Sequence, residues 1–482
     1  MRTRELRTTG RSDWVDRRGR LVLVGVCLGF FMIQLDATIV NVALPAIGRD
    51  VGGSFGGLQW VVDSYTLVLA AGMLAAGSLA DRLGTRRVFE LGLVIFTLGS
   101  AAAAAAPDLV LLIFARTLQG VGAAALLPCS LALTADEFPA GPPRARALGV
   151  WGGIGSLGMA CGPLFGGLAV GLVSWRLVFV INLPAAMLAL WLVRRFVAHT
   201  PPAPGGRFDV GGFLLGTLGL GALTAGFIEA GALGWSSPRP IGLVAGGVVA
   251  GVGFRAVERR RARPLVPLDL FASRPFTAAV GVGFLFNLCL YGAIFCLSVY
   301  LQRSRSASAL ETGIELLPLT VVVGLGALAS GRLTARYGPR RPMLAGLGLA
   351  AAGAGLLSLA GPASPLGLVL AGSICLGLCS LAMPAMTSVA INAVHASRIG
   401  LASGVLNAAR QSGGALGVAV LGSLLVAGGH RPSLAGALPV ALGGYAVAIG
   451  LAWIATRPGV SATPAGERGE VAGGRSGAPS RG

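Results

Sequence analysis

The chain has 482 residues, of which 54% are hydrophobic and a further 76 are glycine, while only 12% are charged; its mean hydropathy is +0.77. A soluble domain carries about a quarter charged residues, so this chain lacks the polar surface to dissolve, which excludes a soluble enzyme, a disulfide scaffold and a disordered chain. The formal charge of +19 comes from 38 basic residues, all Arg, which form no single tract and so make no nucleic-acid surface.

Apolar runs bounded by Arg, Pro and Gly predict membrane-crossing helices, each needing about 20 apolar residues. Six are predicted at 21–47, 58–80, 88–106, 109–134, 147–171 and 177–193. Two follow at 209–230 and 241–257, then six at 275–300, 313–335, 343–361, 366–391, 401–427 and 437–456. The first run is too long for the apolar core of a cleavable signal peptide. With the N-terminus inside, 30 Arg fall on the cytoplasmic side and 6 outside (Arg49, Arg176, Arg239, Arg303, Arg305, Arg431), while Arg116 and Arg410 lie within runs. That asymmetry orients both termini to the cytoplasm.

The segment Gly77-Ser-Leu-Ala-Asp-Arg-Leu-Gly-Thr-Arg-Arg87 aligns without gaps on Gly331-Arg-Leu-Thr-Ala-Arg-Tyr-Gly-Pro-Arg-Arg341, with six identities in eleven. The same offset of 254 carries the start of the first run onto the start of the ninth. The expected organisation is a cytoplasmic Arg-rich tail (1–20), a six-helix bundle (21–193), an inserted helix pair (209–257), a second six-helix bundle (275–457) and a disordered tail (458–482). Parallel halves of this kind place a transporter's substrate site between them.

A charge near the bilayer centre costs several kcal/mol, so each needs a partner, a cavity or a function. Asp36 lies near the middle of the first run, either as a carboxylate that binds and releases a proton or as one fixed permanently by an Arg or by Thr and Asn groups. Asp63 and Arg116 lie at similar depth in the second and fourth runs, and a buried pair between them is expected, as a structural clamp or a proton relay. Ser403, Asn407, Arg410 and Gly414 share one helix face, which should line a cavity together with Asn287, Gln119 and Asn41. Gly158, Gly162, Pro163, Gly166 and Gly167 form a small-residue stripe that permits close helix contact. The formal G-x-G-x-x-G at Gly153–Gly158 lies mid-helix, and about two such matches arise by chance, so no dinucleotide site is expected. The seven Cys all lie in apolar runs and read as packing residues, Cys375 and Cys379 included; the three His are scattered. No metal and no cofactor are expected.

In this order, Asp36 to Pro45, the loop 77–87, Arg116-x-x-Gln-Gly120, Gly162-Pro-x-x-Gly-Gly167, Trp175-Arg-x-x-Phe-x-x-Asn-x-Pro184 and Arg410-Gln-x-Gly-Gly-x-x-Gly417 resemble the major facilitator superfamily. They are most similar to its 14-span drug:proton antiporters, the EmrB/QacA type, over about 15–457. The resemblance implies an all-α integral membrane protein with the major facilitator fold: two six-helix bundles plus two inserted helices. It implies export of hydrophobic or amphiphilic compounds such as antibiotics, driven by protons, across the plasma membrane by a monomer. Asp36, Asp63 and Arg116 would then couple protons. Gly77, Asp81, Arg82, Gly84, Arg86 and Arg87 would form a cytoplasmic latch, and Gly162-Pro163 would mark an exporter. Two departures matter: Ala335 stands where the first copy of the loop has Asp81, and the run at 401–427 offers Arg410 with no acid. The second departure turns the expected preference from dications toward neutral or weakly acidic compounds. The alternatives are an importer of the same fold and a membrane-embedded transferase; the latter needs clustered acids at a membrane face, where only Asp136 and Glu137 pair.

Overall fold

A computed structural model describes residues 17–139, 142–198, 210–261, 266, 268–395, 398–426 and 433–457. The tail 458–482 and all but the end of the tail 1–20 lie outside the described residues, which are helical with no strand. In chain order the helices are α1 (Arg17–Asp50), α2 (Phe55–Leu83), α3 (Thr85–Ala105), α4 (Leu109–Glu137), α5 (Pro142–Leu172), α6 (Leu177–Val180) and α7 (Asn182–Phe196). They continue as α8 (Val210–Leu233), α9 (Pro238–Arg260), α10 (Arg274–Arg303), α11 (Ala309–Tyr337), α12 (Arg340–Ser358), α13 (Leu366–Gly377), α14 (Ala382–Asn392), α15 (Ile399–Val426) and α16 (Leu434–Ala455). Among the described residues, twelve helical segments are long and apolar enough to cross a membrane, with α6–α7 and α13–α14 each counting as one. The further segments α2 and α12 fall outside that set.

Two predicted runs are interrupted, and proline accounts for both. Pro184 has no N–H to give the Val180 carbonyl, and α6 ends at Val180 with α7 restarting at Asn182. Pro384 likewise cannot bond to Ser380, and a 3-10 turn over Leu378–Leu381 separates α13 from α14.

The chain divides into two units, 1–208 with 307–317 and 209–306 with 318–482. In the first, α1 packs against α5, α7 and α4, while α4 also packs against α2 and α3. In the second, α10 packs against α15 and α16, and α12 against α13 and α16. The inserted pair belongs to this second unit, α8 lying against α9 and α15. The internal repeat is therefore visible in packing: the first and fifth segments of each half pair, as do the third and fourth. It is also visible in the backbone. Gly84 and Gly338, 254 residues apart, both sit between two helices with positive φ, +90° and +73°, a conformation open to glycine at little cost.

Lipid-facing helices gain little from the hydrophobic effect when they associate, so close approach must come from small residues. On α5, a Cβ at Gly158 would lie 2.6 Å from the Phe31 carbonyl of α1, and one at Gly166 2.7 Å from that of Ile39. Gly162 faces Thr38, whose hydroxyl donates to the Met159 carbonyl at 3.1 Å. In the second unit, Gly292 of α10 meets the Gly417 carbonyl of α15 in the same way, at 2.6 Å. Gly152, also on α5, has open space around it. Gly166→Ala should accordingly cost about 1–3 kcal/mol through overpacking against backbone, whereas Gly152→Ala should stay within about 0.5 kcal/mol. Thermal unfolding followed by fluorescence-detected size exclusion distinguishes them, and equal melting temperatures for the two variants would contradict the backbone contact.

Candidate functional site

From Met32 to Leu44 every residue of α1 is buried, and in the middle of that stretch stands Asp36, with no exposed surface. Its Oδ2 accepts a hydrogen bond from Nη1 of Arg116 on α4, which is equally buried, and the two form an ion pair. Asp36 Oδ1 accepts from Asn182 Nδ2 of α7 at 3.1 Å and from Gln119 Nε2 of α4 at 3.3 Å. Arg116 also donates through Nη1 to Gln119 Oε1 at 2.9 Å and through Nε to the Val61 carbonyl of α2 at 2.9 Å. Its guanidinium lies over the Tyr65 ring, 4.3 Å from the centroid, with Phe179 of α6 at 5.8 Å. Ser100 of α3 completes the cluster: its Oγ accepts from Gln119 Nε2 at 2.7 Å and from Asn182 Nδ2 at 3.5 Å. Helices α1, α2, α3, α4, α6 and α7 thus all contribute to one buried polar network.

The structure corrects the expected pairing of Asp63 with Arg116: the guanidinium goes to Asp36. Arg116 meets α2 through Val61 and Tyr65, which share a face, whereas Asp63 lies between them in sequence and so on another face. Asp63 is fully buried, and neither carboxylate oxygen has a hydrogen-bond partner. A similar place along two runs does not choose the partner; azimuth does. Gln119, expected to line a cavity, is a buried member of the Asp36 network. Asn41 is also buried, and its Nδ2 donates to the Ala37 and Thr38 carbonyls of its own helix. Asn182 and Ser100 were given no role from sequence; the signal for Asn182 was a lone amide in an apolar run, two residues before Pro184.

Beside the loop 77–87, Arg86 ties α3 to the end of α7. Its Nη1 donates to the Val197 carbonyl at 2.6 Å, its Nη2 to the Arg194 carbonyl at 3.0 Å, and its Nε to Glu90 at 2.8 Å. These bonds serve carbonyls left over at a helix C-terminus. Arg82 is partly buried and Arg87 exposed; Gly77 has open space around it, and the side chain of Asp81 lies outside the described residues. At the other end, Asp50 accepts from Trp175 Nε1 at 2.8 Å and from Arg176 at 2.5 Å. Gly167 and Pro163 of α5 lie against the start of α11, at Ala309 and Gly313.

In the second unit the expected polar face of α15 is joined by hydrogen bonds. Asn407 Nδ2 donates to the Ser403 carbonyl at 3.0 Å, and Arg410 Nη1 to Asn407 Oδ1 at 3.4 Å. On α10, Asn287 is 2% exposed and packs near Gly414 together with Tyr291. Among the described residues no group of three or more His, Cys, Asp or Glu is arranged to hold a metal, and the seven Cys are free thiols.

Removing one partner of a buried ion pair strands the other charge, at about 3–5 kcal/mol. Asp36→Asn and Arg116→Gln should each destabilise the protein by that order, and the double variant by clearly less than the sum. Asp63→Asn, which breaks no hydrogen bond, should change stability by under about 0.5 kcal/mol or raise it. A double-mutant cycle read by thermal unfolding in lipid nanodiscs checks this; additive effects at Asp36 and Arg116 would contradict the pairing.

A sequence model described as the Major Facilitator Superfamily matches residues 26–418 and 280–476. The chain is 39% identical over 417 residues to the multidrug resistance protein Stp of Mycobacterium tuberculosis, covering 86% of this chain and 77% of that protein. It is 38% identical to the puromycin resistance protein pur8 of Streptomyces alboniger, over 89% of this chain and 88% of that one. Among solved structures it is similar in fold to the human organic anion transporter MFSD10, with a TM-score of 0.62 at 19% identity, covering 92% of this chain and 100% of that one. Matched over most of its length by the family model and by such relatives, this chain belongs to the major facilitator superfamily, and it is a membrane transporter, not an enzyme.

Proposed function

We propose that the chain is a drug:proton antiporter, exporting hydrophobic or amphiphilic small molecules, antibiotics among them, in exchange for protons moving inward. Relatives named for multidrug and puromycin resistance support export, as does one named a tetracenomycin C resistance and export protein, from Streptomyces glaucescens, at 37% identity. The observation that carries the proton coupling is the fully buried Asp36–Arg116 pair inside a cage of neutral donors.

The chemistry of that cage follows from its bonds. When Asp36 takes a proton it becomes neutral and no longer balances Arg116, so the strongest tie between α1 and α4 is lost. Oδ1 can still accept from Asn182 and Gln119, while Arg116 keeps the Val61 carbonyl, Gln119 Oε1 and two aromatic faces. Arg116 therefore keeps neutral partners when Asp36 is protonated, but its charge is then uncompensated, so the protonated state is the strained one and the pair re-forms when the proton leaves. The Gly158, Gly162 and Gly166 contacts hold α5 against α1, so a shift of α1 on protonation carries α5 with it. Asp63, buried with no partner, is the second proton-coupling residue in this reading: an unpaired carboxylate is costly there, and the neutral acid far less so.

In the same reading Gly77, Asp81, Arg82, Gly84, Arg86 and Arg87 hold one access state at the cytoplasmic face, Arg86 through its bonds to the end of α7. Pro163 and Gly167 belong with the exporter stripe of α5. Asn287, Asn407 and Arg410 line the substrate path. Helices α2 and α12 cross the membrane as well, completing fourteen spans in the plasma membrane with both termini cytoplasmic. One proton crossing ~100 mV supplies about 2.3 kcal/mol and each pH unit about 1.4 kcal/mol, enough together to sustain a gradient of several hundredfold.

A susceptibility panel in a pump-deficient host, with and without a protonophore, identifies transported compounds. For such a compound, Asp36→Asn should abolish uphill transport in proteoliposomes under an imposed pH gradient, with the variant still inserted and monodisperse. Unimpaired uphill transport by that variant would sink the coupling role of Asp36.

A further inference from the structure

The two arginines in the interior of helices α4 and α15 are housed in opposite ways. Arg116 has a carboxylate, two further oxygen acceptors and two aromatic faces. Arg410, on α15, has two long contacts to neutral atoms, Asn407 Oδ1 at 3.4 Å and Met383 Sδ at 3.4 Å, and its buried Nε has no partner. Its position is not accidental crowding: Gly283 of α10 leaves room for it, since a Cβ there would lie 3.0 Å from Arg410 Cγ.

The acids that could balance Arg410 within its own unit are spent elsewhere. Among the described residues of that unit, Glu229 pairs with Arg239 at 2.8 Å, Asp269 pairs with Arg398, and Glu258 accepts the Val266 N–H at 2.9 Å. All three stand at or near helix ends, while Arg410 is eleven residues into α15. Beside it the surroundings are neutral: Phe286, whose ring centroid lies 5.9 Å from the guanidinium carbon, and Asn407. The next residue of α10, Asn287, is nine-tenths and more buried and carries no charge.

We propose that Arg410 is an oxyanion-recognition site, and that the transported compounds include monoanionic amphiphiles whose carboxylate docks on its guanidinium. The reading rests on the export function proposed above and names its substrate class. A guanidinium offers five N–H donors in a fork that matches a carboxylate, and here most of them are open. Charge-assisted bonds of this kind are roughly twice as strong as neutral ones. A cationic compound placed beside Arg410 meets a like charge with no counter-ion in a medium of low dielectric. Exchange of a monoanion outward for one proton inward moves charge in the direction the membrane potential favours, so such export gains from the potential as well as from the pH gradient.

The test uses three probes with one fluorophore and three charges: dansylglycine, its neutral amide, and dansyl-ethylenediamine. Binding is read by dansyl fluorescence to the full-length protein in nanodiscs of phosphatidylcholine, a zwitterionic lipid that leaves no anionic headgroup to occupy the site. Wild type should bind dansylglycine about ten-fold tighter than the amide and bind the amine weakest. Arg410→Gln should bring the anion-to-amide ratio to about one, and Arg410→Lys should keep part of it; the amide's affinity serves as the control that each variant is folded. Equal affinities across the series, no binding of the anion, or an anion preference that survives Arg410→Gln would each overturn the assignment. Transport of the amide in proteoliposomes separates this from the parent reading: loss of the Arg410-dependent preference with pH-driven amide transport intact overturns the anion site alone, whereas the preference without pH-driven transport of any probe overturns antiport.

Discussion

An aspartate and an arginine that have both left water are bound to one another more tightly than to anything else in the first unit, and each would be costly there without the other. That constraint organises the bundle around it. Asn182 and Gln119 are turned toward the carboxylate, Ser100 links their amide groups, and Tyr65 lies under the guanidinium while its own hydroxyl donates to the Ile33 carbonyl at 3.2 Å. The small residues of α5 then fit against the α1 backbone on either side of Asp36. A proton is the smallest ligand that can undo such a pair. Its effect is large because the pair is dry.

The two units share a repeat and a packing plan but differ in how they treat an arginine in the interior of a helix. The correspondence reaches single residues, as in Gly84 and Gly338 between successive helices. It stops at charge: the first unit places Asp36 on its opening helix, while the corresponding helix of the second, α10, carries the neutral Asn287 in its interior. One unit thus neutralises its cation internally with Asp36, whereas Arg410 of the other has only neutral contacts.

Much of this was legible from sequence because membrane insertion imposes simple rules. Arg asymmetry and run length locate helices, and intramembrane charges stand out against an apolar background. Asp36, Arg116 and Arg410 were found that way. Partners were not: Arg116 was matched to Asp63 by depth, yet a helix places Val61 and Tyr65 on one face and Asp63 on another, and azimuth between helices is set by packing that a single run does not encode. Asn182 stands in the Trp175–Pro184 motif, but its partner, Asp36 of α1, lies 146 residues away and is set by packing between helices. Pro184 and Pro384 remove hydrogen bonds one turn back at the breaks at Ile181 and Leu378–Leu381, but Pro45, Pro128, Pro163, Pro318 and Pro439 lie inside unbroken helices, so proline alone does not mark a break. The stripe Ser403–Asn407–Arg410 was legible because it lies on one helix and needs only the helical period.

The claim on which the rest depends is that Asp36 is the group that exchanges its proton when substrate binds. Proton release can be counted directly, by adding a transported compound to purified protein in weakly buffered solution with a pH-indicator dye, near the pH at which about half the molecules are protonated. Linkage requires that a proton leave when a ligand favours the ionised pair. Wild type should release up to about half a proton per bound molecule at that pH, and Asp36→Asn should release none while still binding the compound. Release of the same size from Asp36→Asn would place the exchanging proton elsewhere and contradict the account.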